Sequence, residues 1–262
     1  VGGMCRSWKW NKYILDTGPH IFHTPDKKLW NFWNKNFGKL LYKGKYWSKN
    51  VLNDKLYHYP LSKESINKYP KNLRLKIFKE LKDVNSKKEK STNFFDHIKN
   101  QLGETLANMY FKNYPEKVWG IDVNKMTADW APKRVKLTNK SSPFFVNEYT
   151  AVGKYGTGQI YNYLKDEILK KNGRVHLNTE IKGFDYHENQ IKKIKISKNK
   201  NIDVDESTLI ISTLPITLTA NLLGYKSKLK FRGIRSIYIS VNKKRVLPKN
   251  VNWLYYPAKD LI

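Results

Sequence analysis

Apolar residues recur at helical spacing in several stretches of the chain. Ile160, Leu164 and Ile168 lie four residues apart, so they share one face of a predicted helix. Aromatic and aliphatic side chains recur in the same way between residues 27 and 41. The same periodicity predicts further helices over residues 61–84, 94–111 and 122–135.

Polar residues and glycines mark the expected ends of these helices. Ser62 and Thr127 are candidate N-caps, because a side-chain oxygen at that position accepts a hydrogen bond from a free backbone N–H group. Thr157 is a third candidate, directly before the helix with the four-residue repeat. Gly173 stands where a left-handed C-cap is expected, and Pro70 interrupts the helix that Ser62 begins.

Other stretches have the alternation or the composition of β-strands. Residues 42–59 predict strands with turns at Gly44 and at Asn53-Asp54. In QIKKIKIS, isoleucines alternate with lysines, which predicts a strand with one buried face. LIIST, residues 209–213, is almost continuously apolar, as expected of a strand buried on both faces, and residues 234–257 predict further strands.

The order of these elements predicts an α/β chain with a helical insertion near residues 60–135. Its 262 residues, 40% of them hydrophobic, suffice to bury a sizeable core. The longest apolar run, LIISTLPITL, is too short for a transmembrane segment, which needs about 20 apolar residues. Cys5 is the single cysteine, which favours a reducing, cytoplasmic location. Because the chain begins with Val1, we expect it to be an internal piece of a longer protein.

The formal net charge of +28 would suit binding to nucleic acid or to an anionic membrane. The excess comes almost entirely from lysine, since the chain has only seven arginines. Base reading and bidentate phosphate contacts depend on arginine. We therefore attribute the charge to the composition of the source genome and expect no nucleic-acid partner, with a non-catalytic basic protein as the alternative.

Two glycine-containing stretches near the start are candidate ligand-binding segments. In VGGMCRS, Gly2 and Gly3 would let the backbone approach a ligand, while Arg6 and Ser7 could bond to a phosphate or a ribose. An ordinary turn is the simpler interpretation of the same residues. In DTGPHIFHT, a rigid Gly-Pro step precedes two histidines, which fits either a core turn or a turn packed beside a flat ring.

The two histidines of DTGPHIFHT do not predict a metal site. His20 and His23 are three residues apart, so an extended segment would point them to opposite faces. The preceding Gly-Pro step disfavours a helix that would bring them together, and no third ligand is obvious nearby. We expect no bound metal here.

Two later stretches have weaker signals for a binding site. The run from Gly153 to Gly158 does not follow G-x-G-x-x-G, so we interpret it as a loop that starts a helix. In IISTLP, Ser212 and Thr213 fall at the predicted carboxyl end of a buried strand, where ligands of α/β sheets gather. A strand that simply ends in a turn is the alternative.

Taken in order, these segments resemble the FAD-dependent amine-oxidase superfamily. The resemblance rests on VGGMCRS, DTGPHIFH, YPEKVWGIDVNKMTADWAPKRV, GKYGTGQIYNYLKDEILKKNGRVHLNTEI and LIISTLP, and it covers nearly the whole chain. YPEKVWG and ADWAPKR are similar to protoporphyrinogen-oxidase-like proteins, whereas GPHIFHT is especially like the UDP-galactopyranose mutase branch.

The resemblance implies an incomplete FAD/NAD(P)-binding-type domain, a helical insertion and a substrate-domain sheet. Residues 1–27 and 150–225 would form the FAD-binding portions, and residues 28–149 the substrate or helical insertion. Residues 226–262 would begin a second segment of the substrate-domain sheet. The family's G-x-G-x-x-G loop would lie before Val1 and its last flavin-binding segment after Ile262, so we expect residues 1–262 alone to bind FAD poorly.

The resemblance also implies roles for individual residues. The implied cofactor-binding residues are Gly2, Gly3, Arg6, Ser7, Gly18, Pro19, His20, Ile21, Ile181, Ser212, Thr213 and Pro215. His20 would abut the flavin ring and is the candidate catalytic residue. The candidate substrate-binding residues are Arg134, Tyr155, Arg232 and Arg235.

Two reactions are compatible with this resemblance. In the first, an FAD-dependent oxidoreductase transfers a hydride from a small-molecule substrate to the flavin. In the second, a nucleotide sugar is isomerised without net redox change while the flavin is reduced. The second needs arginines for the substrate's diphosphate, and a flavin fold whose site has decayed is a third possibility.

Overall fold

The computed structural model describes residues 1–86, 91–129, 135, 137–197 and 200–258. Helices and strands are interleaved along the chain, which confirms the predicted mixed α/β class. The α-helices are α1 (Lys27–Phe37), α2 (Lys63–Ile66), α3 (Lys71–Ser86), α4 (Phe94–Phe111), α5 (Asn113–Trp119), α6 (Gly158–Lys170) and α7 (Ile216–Leu222). Short 3₁₀ turns span Gly3–Cys5, Gly38–Leu40 and Val123–Lys125.

The described strands form four small sheets. The strands are β1 (Ser7–Trp10), β2 (Tyr13–Asp16), β3 (Phe22–Thr24), β4 (Leu41–Lys43), β5 (Ser48–Leu52), β6 (Lys55–Tyr59), β7 (Tyr149–Gly153), β8 (Ile181–His187), β9 (Gln190–Ile196), β10 (Lys200–Asp203) and β11 (Trp253–Tyr255). β1 and β2 form a hairpin, β7 lies between β3 and β4, and β9 lies between β8 and β10. β5 pairs with β6 in the antiparallel direction and with β11 in the parallel direction.

The larger hydrophobic core lies in the helical region between residues 61 and 135. Phe94, Ile98 and Leu106 of α4 are fully buried and pack with Ile66 and Ile77 from the preceding helices. A smaller core joins α1 to β7 and α6 through Phe37, Leu41, Ala151 and Ile160. The helical region therefore has a core of its own, as the apolar periodicity predicts.

Several predicted helix ends are confirmed, and others are wrong. The hydroxyl of Ser62 accepts a hydrogen bond from the Ser65 N–H at 3.1 Å, and Pro70 separates α2 from α3 as predicted. Thr157 precedes α6 but does not cap it, because its hydroxyl donates to Asp16 instead. Residues 130–134 of the predicted helix over 122–135, which Thr127 was to cap, lie outside the described residues.

The predicted left-handed cap after α6 is displaced by one residue. Asn172, with φ of 59°, takes the left-handed conformation that was expected of Gly173. The Gly173 N–H still closes the helix by donating to the Ile168 carbonyl at 2.8 Å. Asparagine is one of the residues that tolerate this backbone region, so the turn forms without a glycine there.

The prediction of a strand at LIIST, buried on both faces, is wrong. Residues 209–213 belong to none of the described strands, and the side chains of Leu209 and Ile211 are 83% and 79% exposed. In the predicted strand region 234–257, the described strand is β11 alone, and Ile237 is also exposed. An apolar run does not specify its hydrogen-bonding neighbours, and a strand forms only where such a neighbour lies alongside.

None of the described helices combines the length and apolarity needed to cross a lipid bilayer.

Candidate functional site

The glycines near the start of the chain have backbone conformations that favour glycine. Gly2 has φ of 94°, Gly3 φ of 51° and Gly18 φ of 114°, all in the region that other residues rarely adopt. No described atom lies within 4 Å of the position that a Cβ atom on Gly3 would occupy. The backbone at Gly3 is therefore open on one side, which fits the close approach of a flat cofactor.

Asp16, at the end of β2, joins the start of the chain to the loop before α6. Its carboxylate accepts hydrogen bonds from the Ser7 hydroxyl, from the Thr157 N–H at 3.1 Å and from the Thr157 hydroxyl at 2.8 Å. The Ser7 hydroxyl in turn accepts a bond from the Gly158 N–H at 2.8 Å. Ser7, a predicted cofactor residue, is thus fixed from two sides.

Glycines in the loop before α6 allow this close approach. A Cβ atom on Gly158 would lie 2.4 Å from the Ser7 backbone nitrogen, and one on Gly156 would lie 2.4 Å from the Ser7 hydroxyl. The sequence predicted a loop that starts a helix, which is confirmed. It did not predict that these glycines contact the first strand, because nothing in their spacing indicates a partner.

The Gly-Pro-His turn is held by a tyrosine from late in the chain. The Gly18 N–H donates to the Tyr238 hydroxyl at 3.2 Å, and that hydroxyl donates to the Asp16 carbonyl. The ring of Tyr238 packs edge-on against Trp8 at 5.8 Å. The His20 Nδ1 lies 3.0 Å from the Gly18 carbonyl, so the imidazole closes its own turn.

His23 makes contacts different from those of His20. Its Nδ1 lies 2.6 Å from a carboxylate oxygen of Glu148, and its ring stacks on Phe145 at 4.1 Å. Within the described ranges, no group of three or more His, Cys, Asp or Glu residues is placed to hold a metal ion.

The remaining predicted cofactor residues have local partners. Ile181 opens β8 and pairs with Ile196. The Ser212 hydroxyl lies 3.2 Å from the Thr219 hydroxyl, while Thr213 is exposed and Pro215 directly precedes α7. Their roles, like those of Arg6, Pro19 and Ile21, stay predictions.

The candidate substrate residues lie in different surroundings. A Cβ atom on Gly120, at the end of α5, would lie 2.9 Å from an Nη atom of Arg232, so this guanidinium rests against the backbone there. Arg235 and Tyr155 are exposed, and the Lys154 ammonium lies 5.4 Å from the Tyr155 ring centre. Arg134 lies outside the described residues.

A cavity of about 790 Å³ lies between α4, α5 and the β5–β6–β11 sheet. Half of the described residues that line it are aromatic, and the lining includes Asn50, Tyr59, Tyr114, Trp119, Phe144 and Tyr255. Tyr114 and Trp119 come from the YPEKVW segment of α5. No local pattern in the sequence predicts the cavity, because its walls come from segments that are distant in the chain.

Most of the described residues that line the cavity are uncharged, and the charged one among them is a lysine. Burial raises the pKa of Tyr114, and burial also raises the pKa of Tyr110, which shares a hydroxyl–hydroxyl hydrogen bond with Tyr69. Lys125 lines the cavity. Arg232 lies against Gly120, the residue that follows Trp119 in the chain. An apolar ring system with an anionic substituent fits this distribution of charge.

Comparison with known proteins identifies several relatives. The chain is 27% identical over 173 residues to dTDP-fucopyranose mutase of Escherichia coli, covering 63% of this chain and 45% of that protein. It is 24% identical over 155 residues to a probable UDP-galactopyranose mutase of Klebsiella pneumoniae, covering 57% and 39%. The chain thus spans less than half the length of these relatives.

Two solved structures share the fold. The crystal structure of reduced UDP-galactopyranose mutase matches with a TM-score of 0.69 and 19% identity, covering 85% of this chain and 50% of that one. An oxidoreductase from Methanosarcina mazei matches with a TM-score of 0.56 and 14% identity, covering 86% and 53%.

The sequence profile of one family matches nearly the whole chain. It is described as flavin containing amine oxidoreductase, and the match extends over residues 1–254. This match confirms the resemblance and, with it, the prediction of FAD as the cofactor. The chain therefore belongs to the flavin containing amine oxidoreductase family.

Proposed function

We propose that this chain is part of a flavin-dependent mutase that isomerises the sugar of a nucleoside diphosphate sugar. The observation that carries the proposal is the aromatic cavity beside α5, with Arg232 against Gly120, which lies between the cavity-lining residues Trp119 and Ile121. The names of the two relatives, a dTDP-fucopyranose mutase and a probable UDP-galactopyranose mutase, support the same reaction class.

The cavity has the properties that a nucleoside site requires. Tyr114, Trp119 and Tyr255 offer faces on which a base can stack, and such stacking contributes about 1–3 kcal/mol per base. The Arg232 guanidinium beside Gly120 is placed to meet a diphosphate as the nucleotide leaves the cavity. Among the arginines that the sequence left open, Arg232 is therefore our candidate.

The cofactor would bind at the other group of residues, near the start of the chain. Gly2, Gly3 and Gly18 supply backbone that a flat ring and its pyrophosphate can approach closely. The flavin supplies the redox chemistry, and the protein's residues orient the substrate and exclude water. We keep the predicted division into an FAD-binding portion (residues 1–27 and 150–225) and a helical insertion (28–149) as part of this proposal, together with a cytoplasmic location.

A hydride-transferring oxidoreductase is the second candidate, favoured by the description of the family profile. The two reactions differ in what they need. An oxidase turns over with an electron acceptor and consumes it, whereas the mutase needs reduced flavin and consumes no acceptor. The basic non-catalytic alternative predicts instead a binding that weakens steeply with salt.

The test uses the complete natural polypeptide, loaded with FAD and reduced with dithionite. We expect the reduced protein to interconvert the pyranose and furanose forms of UDP-galactose or dTDP-fucose, and chromatography of the two forms measures this activity. The oxidised protein should be inactive. Arg232→Gln should raise KM for the nucleotide sugar about tenfold or more, since bonds to charged groups contribute about 1.5–3 kcal/mol. Arg245→Gln removes the same charge at another exposed arginine, one that is not against Gly120, and is the matched control.

Two outcomes would contradict the proposal. One is the consumption of oxygen or another acceptor in step with oxidation of an amine or a reduced ring, with no isomerisation of either sugar. The other is an equal effect of the Arg232 and Arg245 substitutions on KM, which would remove Arg232 from the site.

A further inference from the structure

Asn50 presents a buried amide to the aromatic cavity. The residue lines the cavity, and only 4% of its surface is exposed. Its Nδ2 atom is buried and has no hydrogen-bond partner among the described residues. A buried donor left without a partner costs about 1–3 kcal/mol, so most proteins avoid one.

The position of Asn50 in the sheet directs its side chain toward the cavity. Asn50 lies opposite Tyr255 of β11 and opposite Tyr57 of β6, and directly opposed residues share one face of a sheet. Tyr255 also lines the cavity. Trp253, two residues earlier on the same face, has a buried indole N–H that likewise has no partner within the described ranges. This face of the sheet therefore carries two donors without acceptors among the residues that the structure describes.

We propose that Asn50 reads the base of the nucleotide sugar by donating a hydrogen bond to the carbonyl at position 4 of a uracil or thymine ring. The inference rests on the proposed function and adds a specificity-determining residue to it. Uracil and thymine share this carbonyl and the neighbouring N3–H, whereas cytosine carries an amino group and an unprotonated nitrogen instead.

The carboxamide of asparagine matches this edge of the ring. Its N–H₂ group can donate to the carbonyl while its oxygen accepts from N3–H. A half-turn about the Cβ–Cγ bond of Asn50 exchanges Nδ2 and Oδ1 without moving the rest of the side chain, so either atom can face the ligand. Stacking on Tyr114 or Trp119 then supplies affinity, and Asn50 supplies the choice of base.

The experiment compares UDP, or dTDP where the natural protein binds that nucleotide instead, with CDP as ligands of the complete protein. Binding of each is measured by calorimetry for the natural protein, Asn50→Asp and Asn50→Leu. The aspartate can only accept hydrogen bonds, so it disfavours the uracil carbonyl and favours the cytosine amino group. Both ligands carry the same diphosphate, so its repulsion by the added charge cancels in the ratio of the two affinities.

We expect Asn50→Asp to shift the UDP-to-CDP affinity ratio toward CDP by about tenfold. Asn50→Leu removes the amide without burying a charge and should lower the affinity for UDP about five- to tenfold. This variant tests the inference if the aspartate variant does not fold. Asn53→Asp makes the same chemical change at an exposed turn of the same hairpin and should leave the ratio unchanged.

The outcomes separate this inference from the proposed function. If the natural protein binds neither UDP nor dTDP, the nucleotide-sugar proposal fails and this inference fails with it. If the natural protein binds UDP but both Asn50 variants keep the natural UDP affinity and UDP-to-CDP ratio within twofold, Asn50 does not read the base, and the proposed function stands.

Discussion

Asp16 and Thr157, which are 141 positions apart in the chain, are joined by three hydrogen bonds. Both carboxylate oxygens of Asp16 lie 3.1 Å from the Thr157 N–H, and one lies 2.8 Å from its hydroxyl. The same carboxylate accepts from Ser7, so it fixes the first strand against the start of α6. Gly18, which is proposed to approach the cofactor, follows Asp16 by two residues, so this contact restrains the start of the Gly-Pro-His turn.

Replacing Asp16 should therefore destabilise the protein. In Asp16→Asn, the amide keeps one acceptor oxygen and turns an N–H₂ group toward the Thr157 or Ser7 donors. We expect the free energy of unfolding, measured by urea denaturation, to fall by about 1–3 kcal/mol. Asp26→Asn is the control: Asp26 caps α1 through the Lys28 and Leu29 N–H groups, and asparagine caps a helix equally well. Equal losses in the two variants would contradict the role given to Asp16.

The close packing of Gly158 against Ser7 gives a second prediction. In Gly158→Ala, the new Cβ atom would lie 2.4 Å from the Ser7 backbone nitrogen, so α6 or the first strand must move. We expect a loss of about 1–3 kcal/mol in the free energy of unfolding, despite the higher helix propensity of alanine. Gly233→Ala is the matched control, because no described atom lies within 4 Å of its Cβ position. A stabilised Gly158→Ala would show that this approach is not needed.

Local patterns predicted much of the helical and hairpin structure. The predicted helix over residues 94–111 forms as α4, because its apolar residues line the core, but the backbone at Gly103 is non-helical (φ of 79°) and kinks the element, which the periodicity does not predict. The turn at Asn53-Asp54 joins β5 to β6, and both residues have positive φ. In these places the local preference and the tertiary packing agree, so the sequence alone sufficed.

Contacts between distant segments were not predictable in the same way. Thr157 is of a residue type that commonly caps helices. Its hydroxyl and its N–H donate to Asp16 instead, so this tertiary contact prevents Thr157 from capping α6. LIIST has the composition of a central strand, but a strand also needs a second strand to pair with. The apolar pattern does not indicate which segment that would be.

The candidate substrate site was the least predictable feature. Asn50, Phe144 and Tyr255 come from three segments of the chain, 94 and 111 positions apart in sequence order, and each is unremarkable in its own segment. The aromatic residues of YPEKVW are the one local signal that could have indicated it. The predicted cofactor-binding roles near the start of the chain rest on a family resemblance. The arrangement of the backbone around Ser7 and Gly18 gives those roles physical support.

The final prediction concerns His58, on the face of the β5–β6–β11 sheet opposite to Asn50. Its Nδ1 lies 3.2 Å from the Pro60 carbonyl, while its Nε2 is buried and lacks a partner in the described part of the chain. Burial lowers the pKa of His58 below its usual 6.5, and this effect exceeds the opposing one of the Pro60 carbonyl. Protonation would place an unpaired N–H group at Nε2, so the folded state disfavours the protonated imidazole.

This shift gives a stability that depends on pH. Above about pH 6.5 the histidine is neutral in both states, and its contribution is constant. As the pH falls below 6.5, the unfolded chain binds the proton more readily than the folded one, so stability decreases until the lowered folded pKa is passed. In His58→Asn, the amide N–H₂ can replace the Nδ1 donor to Pro60, and this pH-dependent loss should disappear. Urea denaturation at about pH 7.5 and about pH 5.5 measures the difference, with the exposed His176→Asn as the control. If the natural protein and His58→Asn lose the same stability between the two pH values, the neutral, buried state assigned to His58 is wrong.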